Sequence, residues 1–133
     1  MLEKYKNWSV EHSIKHKKIV EKLSHLSDDE IIAYFDYENM KEKEVDFCPL
    51  YAQNKKCHDI ENLNCYLCAC PNFRVTTTKS FCNVNSKYGS SITTKDGYIH
   101  QNCSKCAIPH GSIYIKAKFS IDWKSIMKNC FSS

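Results

Sequence analysis

Eight cysteines fall between residues 46 and 110 of this 133-residue chain, and a ninth stands at position 130. No other feature restricts the fold so tightly. The same stretch offers only nine Leu, Ile or Val residues, too few for an independent apolar core of that length. Thiols must therefore help to hold it, as disulfides or as metal ligands. Disulfides belong to oxidising compartments, and an odd cysteine count suits a fully paired framework badly. The chain opens Met-Leu-Glu-Lys-Tyr-Lys, with charges and no apolar h-region, which is not a secretory signal pattern. It holds no run of 18 apolar residues, so no membrane span is expected. The expectation is a cytoplasmic protein whose reduced thiols bind metal. A structural site of that kind does not exist in the unfolded chain, so its binding free energy, about 10–16 kcal/mol for zinc-finger peptides, becomes folding free energy.

Composition divides the chain into three zones. Residues 1–45 contain no Cys, Gly or Pro and read as two helices. Val10, Ile14, Ile19, Val20, Leu23 and Leu26 form a rough 3.6-residue stripe, which predicts a helix from about Ser9 to Leu26. Ser27-Asp28-Asp29-Glu30 is a capping-box pattern and predicts a second helix over roughly Asp28 to Lys43. Residues 46–110 form the cysteine-rich metal-binding zone and hold all three prolines. Residues 111–133 return to helical vocabulary, with Ile113, Ile115 and Phe119 grouped and Ser120 placed to cap a helix carrying Trp123, Ile126 and Met127. The expected fold is a small, metal-stabilised, irregular cysteine-rich core with flanking α-helices: α plus loop-rich, with little sheet.

The candidate ligands are Cys48, Cys57, His58, Cys65, Cys68, Cys70, Cys82, Cys103, Cys106 and His110. Cys65-Tyr-Leu-Cys68 and Cys103-Ser-Lys-Cys106 are both C-x-x-C, a spacing that lets a tight turn aim two sulfurs at one tetrahedral ion. Spacing alone pairs these two motifs in one four-sulfur shell. Cys48, Cys57, Cys70 and Cys82 are left for a second, with His58 or His110 able to replace a sulfur. Cys130 lies on a predicted helix and reads as a plain thiol. His12 and His16, at i and i+4, read as part of a solvated lysine-rich face. Trp8, Trp123, Tyr34, Phe35 and Tyr37 read as packing residues that join the helices to the middle zone.

Thiolate shells select zinc, copper(I) or iron–sulfur clusters. Two zinc ions are the first expectation. A [4Fe–4S] cluster is the alternative, although the C-x-x-C-x-x-C run of ferredoxins is absent and the third spacing here is C-x-C. A Cys–His nucleophile built from Cys57 or Cys103 with His58, His100 or His110 explains such crowding less well than a shared ion does. No catalytic residue is assigned. The formal charge of +4 invites nucleic acid, but Arg74 is the single arginine, and eight thiolates around two divalent ions would bring the balance to neutral.

Asn64-Cys65-Tyr66-Leu67-Cys68-Ala69-Cys70-Pro71, then Cys82-Asn83, then Asn102-Cys103-Ser104-Lys105-Cys106-Ala107-Ile108-Pro109-His110 resembles the cysteine-rich small domain family, whose run is N-C-L-x-C-x-C-P, C-G-G and D-C-S-x-C-x-x-P-H. Cys57-His58 is similar to its C-H element. The resemblance spans about residues 48–110. It departs where Cys82 is followed by Asn-Val instead of Gly-Gly, and where Cys48 lies nine residues before Cys57. It implies a zinc-finger-like, metal-binding domain and names no reaction, since the family occurs alone and fused to enzymes of cobalamin salvage. Two functions stay open: a non-enzymatic interaction module with a protein partner, or RNA, and no membrane; or an iron–sulfur electron carrier or accessory protein for a metalloenzyme.

Overall fold

Twenty-one residues free of Gly and Pro and rich in Lys and Glu build the first helix, α1 (Leu2–Lys22), which starts earlier and ends sooner than the apolar stripe from Ser9 to Leu26 predicts. Its buried line is His12, His16, Ile19 and Val20, while Val10 and Ile14 are 60% and 51% exposed. The inward face is thus turned from the expected one, because the surface beneath it is aromatic and takes the two imidazoles. The computed structural model describes residues 2–131.

The capping box forms as its residues predict: Ser27 Oγ accepts from the Glu30 amide at 3.3 Å, and Glu30 Oε1 accepts from the Ser27 amide at 3.2 Å. The helix it starts, however, is α2 (Asp28–Tyr34), followed by a separate α3 (Tyr37–Lys43). The single helix expected to Lys43 breaks at Phe35–Asp36. Asp36 is extended (φ −60°, ψ 140°) and caps α3 by accepting from the Glu38 amide. The break is where the cysteine segment plugs in. Tyr37 N donates to Leu63 O and Cys65 N donates to Phe35 O, both at 2.9 Å. Asn64 Nδ2 donates to Ile32 O at 2.7 Å.

Helices and cysteine segment share one core, in which Phe35, Met40, Leu63, Tyr66, Leu67 and Ile115 are fully buried. Each such burial contributes roughly 1.5–3 kcal/mol. Tyr37 and Trp123 are buried as packing residues, but Trp8 is 48% exposed.

Two antiparallel hairpins follow. β1 (Phe73–Val75) pairs with β2 (Ser80–Cys82), and β3 (Ser90–Thr93) pairs with β4 (Ile99–Asn102). β2 ends on Cys82 and β4 runs directly into Cys103, so the hairpins deliver two cysteines to one place. A 3₁₀ turn, Ile108–His110, leads into α4 (Ser112–Lys118) and α5 (Trp123–Ile126). The cap of α5 is Asp122, not Ser120, whose carbonyl instead accepts from the Tyr66 hydroxyl at 2.5 Å. Ile113, expected in an apolar group, is 88% exposed, whereas Ile115 is buried. The architecture is α plus loop-rich with two small sheets. No helix among the described residues is long and apolar enough to cross a membrane.

Candidate metal centre

The eight cysteines of the middle zone separate into two sets of four. Cys48, Cys57, Cys65 and Cys68 line one cavity, of about 280 Å³. Cys70, Cys82, Cys103 and Cys106 line another, of about 30 Å³. The charges the thiols feel follow the same division. Burial pushes Cys65 up to about 12, with the neighbouring charges of Cys57 and Cys48 adding to it. Burial also raises Cys68, helped by Cys65, Cys57 and Cys48. In the other set, burial and then Cys70, Cys106 and Cys82 push Cys103 up to about 11.

This partition differs from the one that spacing suggests, because the two C-x-x-C motifs fall in different sets. The reason is local. Cys68 and Cys70 are separated by Ala69 alone, and Cys70 has φ 52°, a left-handed conformation that few L-residues adopt. The Cys70 amide donates to Leu67 O at 2.8 Å, closing a tight turn. That turn directs Cys68 back toward Cys48, Cys57 and Cys65, and sends Cys70 toward the hairpins.

Both C-x-x-C motifs are introduced by an asparagine that organises them. Asn64 Oδ1 accepts from the Tyr66 amide at 2.9 Å, and Asn102 Oδ1 accepts from the Ser104 amide at 3.0 Å. These are Asx turns. The second motif closes with Cys106 N donating to Cys103 O at 2.9 Å. Around the sulfurs, Ser86 Oγ lies 3.4 Å from Cys106 Sγ. Tyr114, held by Asn72 Nδ2 at 2.7 Å, turns its hydroxyl to Cys70. The Tyr51 hydroxyl is buried against Cys65, and its contact with that thiol opposes the upward push of burial. Asn64, Asn102, Tyr51, Ser86 and Tyr114 were not candidates from sequence. Only the asparagines left a signal there, as the residue preceding each C-x-x-C.

The two candidate histidines meet at Cys57. His58 Nδ1 lies 3.1 Å and His110 Nε2 lies 3.6 Å from Cys57 Sγ. The remaining ring nitrogens are tied to backbone carbonyls: His58 Nε2 to Cys103 O at 3.0 Å, and His110 Nδ1 to Asn64 O at 2.7 Å. Such a carbonyl contact is the usual means of orienting a metal-binding imidazole. The three ligand atoms lie within 4.8 Å of one another. Burial lowers the His110 pKa from its ordinary value, against the opposing contact with Asn64.

No family model matches the chain, and neither a curated protein nor a solved structure does so.

The other sequence candidates lie elsewhere. Cys130 is buried, belongs to neither set of four, and accepts from Val75 N through its carbonyl at 2.7 Å. His100 pairs with the Tyr5 hydroxyl at 2.7 Å. His12 and His16, read from sequence as a solvated face, are instead buried. His12 stacks on Trp8 at 4.7 Å between ring centroids, and His16 packs on Tyr66 and Trp123, each at 4.6 Å. Aromatic rings from distant parts of the chain supply the enclosure that the lysine-rich neighbours in sequence conceal.

Proposed function

We propose that the chain is a non-enzymatic module folded around two zinc ions, one held by Cys48, Cys57, Cys65 and Cys68 and the other by Cys70, Cys82, Cys103 and Cys106. One observation carries this reading: Cys48, Cys57, Cys65 and Cys68 line one cavity, Cys70, Cys82, Cys103 and Cys106 line another, and the charges the thiols feel run within each set. Four sulfurs at about 2.3 Å from a tetrahedral ion close its shell, which suits a structural site and leaves no position for substrate. The likeness of residues 48–110 to the zinc-finger-like cysteine-rich small domains agrees with it. The metal would supply folding free energy to a zone with few aliphatic side chains. The partner of such a module is a protein, met by exposed helix surface such as Val10 and Ile14 on α1. RNA is the weaker candidate, since Arg74 is the one arginine.

The second reading, an iron–sulfur carrier or accessory protein, draws on the larger space around Cys48, Cys57, Cys65 and Cys68, about 280 Å³ against about 30 Å³ for the other set. Elemental analysis and a visible spectrum of anaerobically purified protein separate the two. Zinc in a colourless protein is the expected result. Iron with matching sulfide would replace the first reading by the second, and absence of any metal would end both.

A further inference from the structure

Cys57, His58 and His110 bring three possible ligand atoms within 4.8 Å of one another. A backbone carbonyl only accepts, so the ring nitrogens facing Cys103 O and Asn64 O, at 3.0 and 2.7 Å, carry hydrogens. In the neutral form that a metal requires, this fixes both tautomers. The nitrogens left facing Cys57 Sγ, His58 Nδ1 and His110 Nε2, then each present a lone pair. A thiol has one hydrogen to offer two such acceptors, and a thiolate has none. With neutral rings and a thiolate, the forms in which these groups bind metal, a cation is what the three atoms can share.

The spacing fits an ion. A sulfur about 2.3 Å and a nitrogen about 2.0–2.1 Å from one tetrahedral centre lie about 3.6 Å apart, and Cys57 Sγ to His110 Nε2 is 3.6 Å. His58 Nδ1 is closer, at 3.1 Å, about half an ångström inside that separation. The surroundings are asymmetric. Cys57 lines the cavity of Cys48, Cys65 and Cys68, while His58 and His110 line a different cavity of about 480 Å³, walled by Trp8 and Phe73 and bordered also by Cys68, Cys70, Cys103 and Cys106.

We propose that Cys57, His58 and His110 hold a third divalent ion, with the Cys57 thiolate bridging it to the ion of the Cys48 set and its fourth position open to an exchangeable donor from the 480 Å³ cavity. This deepens the metal-binding reading and rests on it. Borderline-soft zinc suits the N₂S donor set. Three protein ligands with one open position is the pattern of a reactive zinc rather than a structural one, and water or a small anion such as azide would take the free place.

The test uses the full chain, purified without oxygen and equilibrated with excess zinc, then read by native mass spectrometry. Wild type is expected to carry three ions, and both His58→Gln and His110→Gln two, with unchanged circular dichroism. Two ions in wild type and in His58→Gln alike would overturn the third site while leaving the two-site reading intact. No bound metal would overturn the two-site reading and this one with it. Cobalt(II) loading of wild type gives a second measurement that needs no variant. Its visible d–d bands are expected to shift on adding azide, and bands indifferent to azide would overturn the open position.

Discussion

His16 is fully buried, and the rings of Phe35, Tyr66 and Trp123 enclose it with centroids at 5.2, 4.6 and 4.6 Å. Among the described residues neither of its nitrogens has a side-chain hydrogen-bond partner, nor does Nε2 of His12. Burial lowers His16 to about 4, opposed by the Tyr66 backbone. It lowers His12 to about 3, helped by the charges of His16 and Lys15. Because both folded pKa values lie below the unfolded value of 6.5, the unfolded chain binds more protons in acid. The stability held by the neutral rings is full above pH 6.5 and is lost as pH falls toward about 4 and about 3. Between pH 7.5 and 5 the loss is about 2 kcal/mol for each ring. Denaturant titrations at both pH values should therefore show a smaller acid loss in His16→Phe than in wild type. Proton uptake by the thiols is common to both proteins and cancels. Equal losses would mean that His16 already has a partner for its proton. The i, i+4 spacing of this pair was legible in the sequence. Its burial was not, because the enclosing rings come from Phe35, Tyr66 and Trp123, each far along the chain.

Elements were legible where the signal is local. The Ser27 capping box and the two C-x-x-C turns depend on side chains within a few residues of one another. The break between α2 and α3 does not: Asp36 leaves the helix to pair with Asn64, a contact that nothing near Asp36 announces. The same limit applies to the thiols, whose grouping follows from one left-handed residue, Cys70, and not from spacing. α5 is a short element with a long reach. Trp123 is 4% exposed and packs on both histidines, at 4.9 Å from His12 and 4.6 Å from His16. Trp123→Ala should cost about 3–5 kcal/mol, seen as a lower denaturation midpoint. Metal content should stay unchanged, since α5 supplies no thiol to either set. Metal lost along with stability would show that the helical core and the thiol sites cannot be separated.

At the scale of the whole molecule, the core runs from α1 through the cysteine segment to α4, so metal loss is expected to be felt well beyond the loops. Cys103→Ser should release metal from its set and lower the thermal midpoint. Cys130→Ser, which alters a buried thiol outside both sets, should keep the full metal complement. Elemental analysis of the two proteins beside wild type makes the comparison, and equal metal loss in both would refute the partition. Cys68 and Cys70, one residue apart, tie the two sets to a single stretch of backbone. An ion that fixes the turn for one set also fixes the direction of the sulfur for the other, so filling either site removes conformational freedom that the second ion would otherwise have to remove. Loading should then be cooperative. During a stepwise zinc titration the mass spectrum should hold mostly empty and fully loaded chains, with the half-loaded species scarce, and a chain starved of metal would lose both anchors together.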